Sequence, residues 1–169
     1  EITVIDDDVV EAHNLGHQDY KLTDIGRLKV EALRDRVKEI ADIDINIQAT
    51  RVDGTDMKTD ILVLAVDNMQ SRKQILENAD YQFCVDGRMG GESLYVYSFS
   101  SLQEEEYWET WVADEEIPSL PCGGKSINYV SYFISALMEI SIKKFINQEP
   151  VAFEQIFDAK ELHSYHSNV

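Results

Sequence analysis

The sequence has little with which to cross-link itself. Two cysteines among 169 residues, Cys84 and Cys122, make neither a disulfide framework nor a four-cysteine zinc site, and a reducing cytoplasm is the natural setting. Four histidines are present, with no zinc-like spacing beyond His163-x-x-His166 in a polar tail, so no structural zinc is expected. No apolar run reaches the ~20 residues that span a bilayer, and no basic-then-apolar leader opens the chain, so neither membrane insertion nor secretion is expected. Positive charge is scarce: 15 Lys and Arg face 32 Asp and Glu, for a net charge of -17. Such a surface repels phosphate backbones and excludes bulk nucleic-acid binding. A small phosphorylated ligand needs only a few local cations, or a divalent metal held by carboxylates.

With 44% hydrophobic residues, the chain reads as a single globular domain over residues 1–169. Ile2, Val4 and Ile5 form a short buried strand that stops at Asp6-Asp7-Asp8. An opening this abrupt suggests a segment upstream that is not present here. Residues 9–23 read as a loop, and 24–41 as a helix capped by Asp24, with Leu28, Ala32, Leu33, Val37 and Ile40 on one face. Ile43, Ile45 and Ile47 alternate at strand period. Residues 60–66 are the most apolar strand, ending in Asp67-Asn68, and a helix follows over 69–79 with Ile75 and Leu76 inward. Residues 81–85 make a buried strand ending at Asp86-Gly87, and 93–99, which alternate, an outer or antiparallel one. Residues 100–125 read as a crossover loop, and 126–146 as a long helix in the core or at a subunit contact. Phe153, Ile156 and Phe157 have strand spacing.

Strands alternating with helices predict a Rossmann-like α/β fold: a mostly parallel sheet flanked by helices, with antiparallel strands toward the C-terminal part. Ligands of such sheets bind beyond the carboxyl ends of the strands. The turns at Asp6-Asp7-Asp8, Asp67-Asn68 and Asp86-Gly87 are therefore expected to gather acids at one rim.

The chemistry-bearing residues follow from that placement. An acid closing a strand, as Asp6 does, suits ribose hydroxyls or simply solvent. Asp67 suits magnesium, or equally the cap of the next helix. Lys29, after Gly26, can reach a phosphate as a point charge. Cys122 stands in Pro121-Cys122-Gly123-Gly124-Lys125-Ser126 directly before the long helix. A thiol there, near a lysine, can have a lowered pKa, or can be a packed structural cysteine. Cys84, inside an apolar strand, is expected to be buried.

Two blocks carry a family resemblance. Residues 4–29, VIDDDVVEAHNLGHQDYKLTDIGRLK, resemble the D-x-D, N-L-x-R-Q and G-x-x-K elements of the ThiF/MoeB/HesA superfamily, which includes the ubiquitin-activating enzymes. Asp67-Asn68-Met69-Gln70-Ser71-Arg72 resembles its D-N-x-x-x-R after an apolar strand. A looser likeness, P-C-x-x-K-S before an apolar helix, points to compact bacterial and phage members.

The resemblance implies ATP and magnesium as cofactors. It puts Asp6 on the ribose, Asn14, His17, Gln18 and Lys29 around the phosphates, Asp67 on the metal, and Asn68 and Arg72 beside the nucleotide. It implies adenylation of the C-terminal carboxylate of a ubiquitin-like or sulfur-carrier protein ending in Gly-Gly, by a homodimer, with Cys122 as the candidate for a later thioester. Three departures stand out. The glycine-rich turn of the first strand–helix unit is missing, so the isolated chain should bind ATP poorly, or share a composite site with another chain. His17 replaces the family arginine. The paired C-x-x-C motifs are absent. A catalytically weak partner subunit that holds the carrier is the main alternative. A nicotinamide-dependent oxidoreductase rests only on the strand-end acid.

Overall fold

The computed structural model describes residues 1–114 and 128–168. The chain divides into two compact units, Glu1–Asp53 and Gly54–Val169.

The first unit is a β-α-β element. Strand β1, Thr3–Ile5, pairs in parallel with β2, Asn46–Gln48, in the register Val4 to Ile47. Helix α1, Lys29–Ala41, joins them and packs against β2. Val10, Val30 and Ala32 supply its buried apolar side chains, together with Ile45 just before β2. The helix starts later than its periodicity predicts. Asp24 does not cap it but closes a 3-10 turn, Leu22–Asp24, taking the Lys21 N–H at 2.8 Å. The residue before α1 is Leu28, which has no capping side chain. Ile40, expected on the inner face, is exposed. The helix ends at Asp42 in the left-handed region, φ 53°. The expected loop over 9–23 holds a second 3-10 turn, Ala12–Gly16.

In the second unit, β3 (Lys58–Leu64), α2 (Met69–Asn78) and β4 (Asp80–Gly90) repeat the parallel β-α-β connection. From β4 onward every pairing is antiparallel: β5 is Ser93–Ser100, β6 is Glu154–Asp158 and β7 is His163–Ser167, in the order β3-β4-β5-β6-β7. The antiparallel C-terminal part and the helix-flanked α/β character thus follow the expectation from sequence. The polar stretch around His163 and His166 is a strand, not a tail, and both histidines are exposed on it.

Pleating divides the side chains of β4 and β5 between two faces. Phe83, Val85, Leu94 and Val96 meet Val130, Ile134 and Met138 of α4, Asn128–Ile146, and Phe145 stacks on Phe83 at 4.2 Å. The long helix is therefore a core helix, as one of its two expected placements had it. On the other face Phe99 stacks at 4.4 Å on Tyr107 of α3, Glu104–Trp108. The expected crossover loop accordingly begins with helical turns. Among the described residues β3 lies at the sheet's edge, and its Val63 is 47% exposed, so the most apolar run is not the most buried strand. β4 does not end at Asp86-Gly87. It runs through both, because Asp86 is neutralised in place by two arginines.

Candidate functional site

In the first unit the turn after β1 gathers acids. The Asp8 N–H donates to Asp6 Oδ1 at 2.7 Å, and carboxylate oxygens of Asp6, Asp7 and Asp8 lie within 4.8 Å of one another. Lys29, the first residue of α1, donates Nζ to Asp8 Oδ2 at 2.6 Å, and its N–H donates to the Asp8 carbonyl at 2.9 Å. The structure therefore brings Asp6 and Lys29 to one turn.

Asn14 is buried and folds back on its own 3-10 turn. Its Oδ1 accepts the Glu11 N–H at 2.8 Å, and its carbonyl accepts the N–H groups of His17 and Gln18 at 3.1 and 2.9 Å. Asn14 thus shapes the turn, while Gln18 is exposed and His17 partly so. Sequence reasoning missed two neighbours. Tyr20 is pushed up to about 12 by burial and by Asp6, Asp24 and Asp8, so it remains a phenol facing the acids. Asp24 binds Arg27 Nη1 at 3.0 Å, and Asp35 takes Nη2 of the same guanidinium at 2.5 Å. The signal for this was the i, i+3 spacing of Asp24 and Arg27 and the acid one turn into the helix.

In the second unit β3 delivers Asp67-Asn68 to the start of α2. Asn68 caps the helix, its Oδ1 accepting the Ser71 N–H at 2.7 Å, and its Nδ2 donates to Asp67 Oδ1 at 2.9 Å. Asp67 is exposed, so the capping role open to it falls to its neighbour. Arg72, one turn on, points inward. Its Nε donates to Asp86 Oδ1 at 2.8 Å and its Nη2 to the Gly87 carbonyl at 2.9 Å, with both charged residues buried. Asp86 Oδ2 also takes Arg88 Nε at 2.7 Å and the Tyr107 hydroxyl at 2.9 Å. Burial pulls the Arg88 guanidinium down, but Asp86 and Tyr107 together outweigh it and hold the arginine above its ordinary value. Cys84, adjacent on β4, is fully buried, and desolvation pushes its thiol well up, with Asp86 and Glu104 adding to the shift. It is inert by environment. Cys122 lies outside the described residues.

A ThiF family model matches residues 1–86 and so spans both blocks, from Asp6 to Arg72. The chain belongs to the ThiF family. Its fold is similar to that of solved structures of E. coli MccB with AMPCPP and MccA, at a TM-score of 0.70 and 17% identity, covering 99% of this chain and 56% of that one. MccB with ATP is similar at 0.69 and 17%, with 99% and 55% covered. PaaA is similar at 0.65 and 15%, with 97% and 63% covered. At these identities the likeness is one of fold, and this ThiF-family chain spans 56% to 63% of the length of MccB with AMPCPP and PaaA. No curated protein matches the sequence. No helix among the described residues is long and apolar enough to cross a membrane.

Proposed function

We propose that this chain carries nucleotide-binding machinery of an ATP-dependent adenylating enzyme, acting on the C-terminal carboxylate of a ubiquitin-like or sulfur-carrier protein, or of a short peptide. The observation that supports this most is the family match over residues 1–86, which takes in the Asp6–Lys29 turn and the Asp67-Asn68 helix start together. The similar MccB structures hold ATP, or AMPCPP with MccA, which supports the same class of substrates here.

The residues suit those roles chemically. Asp6 is an acceptor for ribose hydroxyls. Lys29 exchanges its exposed partner Asp8 for a phosphate, a trade between two anions at one ammonium. Asp67 offers an exposed carboxylate whose Oδ2 has no hydrogen-bond partner among the described residues, an oxygen donor of the kind magnesium takes. Magnesium, when bound, screens the repulsion between an incoming carboxylate and the polyphosphate. The net reaction joins the carrier carboxylate to AMP and releases pyrophosphate. Asn14, His17 and Gln18 would line the phosphate side, with Asn68 beside the metal ligand. Arg72 would act from within, by holding α2 on β4. Cys122 is the proposed nucleophile for a following thioester, and the exposed Tyr132, Ile140 and Ile146 of α4 support a homodimer.

One observation favours a second reading, a weakly active partner subunit that holds the carrier. His17 stands where the family pattern that the sequence resembles has arginine, and Arg27 is already held by Asp24 and Asp35. Carrier-dependent exchange of labelled pyrophosphate into ATP separates the two when it is measured on protein that includes the family's glycine-rich strand–helix unit. The adenylating reading expects exchange, at least about 100-fold lower in Asp67→Ala, equivalent to losing more than about 2.7 kcal/mol of transition-state stabilisation. Absence of exchange with every Gly-Gly-ending carrier tried leaves the scaffold reading.

A further inference from the structure

The first N–H groups of an α-helix have no partner within the helix. In α2 the Ser71 N–H is taken by the Asn68 cap, whereas those of Met69 and Gln70 are taken by a residue far along the chain. Asp114 Oδ1 accepts the Met69 N–H at 2.7 Å and Oδ2 the Gln70 N–H at 3.0 Å. A carboxylate at that end also opposes the positive pole of the helix.

Asp114 is the last link of a closed polar circuit. Asp86 on β4 holds α2 through Arg72, and it holds α3 through the Tyr107 hydroxyl. Arg88, also on β4, donates Nη1 to the Thr110 carbonyl at 3.1 Å and Nη2 to Thr110 Oγ1 at 3.2 Å. Trp111 lies under the Lys73 ammonium of α2, 5.9 Å from ring centre to nitrogen. From Thr110 and Trp111 the chain reaches Asp114 and so returns to α2. The turn that this circuit closes upon carries Asp67, whose only hydrogen bond among the described residues is to Asn68 next door. The position of the Asp67 carboxylate thus depends on how rigidly the backbone enters α2.

We infer that Asp114 is a positioning residue: its carboxylate fixes the entry to α2 and so holds Asp67 and Asn68 in the geometry that receives a divalent cation. This rests on the reading of Asp67 as a metal ligand. Asp114 is itself exposed, so its removal uncovers no buried charge, and the helix keeps its Asn68 cap.

The test uses Mn2+ as the probe, read by paramagnetic broadening of the Asp67 and Asn68 amide signals, with amide exchange and urea unfolding measured on the same samples. In Asp114→Ala the Met69 and Gln70 amides should exchange faster while the unfolding midpoint holds, and Mn2+ affinity at the turn should fall about 10-fold, as for loss of an outer-shell support. Asp114→Asn, which keeps one acceptor oxygen, should fall between the two. Faster exchange with unchanged Mn2+ affinity would reduce Asp114 to a helix cap and overturn the inference. So would an affinity loss that merely follows a lower midpoint in both variants. Failure of the underlying metal assignment is told apart by the parent protein: its Mn2+ broadening at this turn would then survive Asp67→Ala, and that result removes the inference as well.

Discussion

In Glu1–Asp53 the acids and bases meet at the surface. Lys21 with Glu39, Arg27 with Asp35, Lys29 with Asp8 and Arg36 with Asp19 each leave at least one partner open to water. Gly54–Val169 has surface pairs too, such as Lys58 with Asp80, but one cluster is moved indoors: the Asp86 side chain is 0% exposed, between the nearly buried guanidiniums of Arg72 and Arg88. The comparison separates two uses of an ion pair. In water the attraction is screened and the partners exchange freely, which suits a turn that must release Lys29 to a phosphate. Out of water both charges are desolvated, and removing either strands the other.

The largest effect should therefore come from Asp86→Ala. Leaving two guanidiniums without their carboxylate is expected to cost about 3–5 kcal/mol of unfolding free energy in urea titration. A loss below about 1 kcal/mol would erase the contrast between the units. Gly54→Ala comes next. Gly54 has φ +83°, and a Cβ there would press into the backbone carbonyl of Ile75, which cannot swing aside. A loss of about 1–3 kcal/mol is expected by the same titration.

A smaller effect belongs to Tyr20. Its pKa is raised from 10.0 to about 12, so the uncharged phenol is favoured in the folded state. The stability this contributes is complete below pH 10 and is lost as pH rises through about 12. Comparing the alkaline absorbance titration of Tyr20→Phe with the parent should show one phenol of midpoint near 12 missing. A missing phenol that titrates near 10 instead would mean that neither burial nor the Asp6–Asp8 turn holds Tyr20 neutral. At the bottom, Lys21→Ala breaks a pair in which both side chains are about half exposed, 48% and 58%, and should leave Tm unchanged.

The parts of the molecule legible in the sequence are those where one local pattern decides. The antiparallel strand over 93–99 and the Ile75-Leu76 face of α2 emerged as expected, although β5 is central and buried on both sides over Val96–Phe99 rather than alternating as an outer strand would. The Asp67-Asn68 helix start was legible for the same reason: an apolar strand meets a cap residue. What was missed depends on partners distant in sequence. Asp86 looks like the end of a strand until Arg72 and Arg88 are seen to neutralise it, and Asp114 looks like one more acid of a crossover until α2 is seen to need it. β7 was unreadable because His163–Ser167 has no apolar face, and pairing with β6 alone makes it a strand. For the site, residue order placed Asp6 and Asp67 at strand ends, but neither Lys29 at the first residue of its helix nor the inward direction of Arg72.

The buried cluster also changes what a net charge of -17 means. The acidity belongs to the skin of the molecule, while around Asp86 two cations meet one anion, so the sign is reversed at the centre of the second unit. Dissolved ions reach the skin and not the centre: at ordinary ionic strength they relax the mutual repulsion of the outer carboxylates and leave the inner attraction at full strength. Moderate salt is therefore a stabiliser of this protein, and dilution a stress.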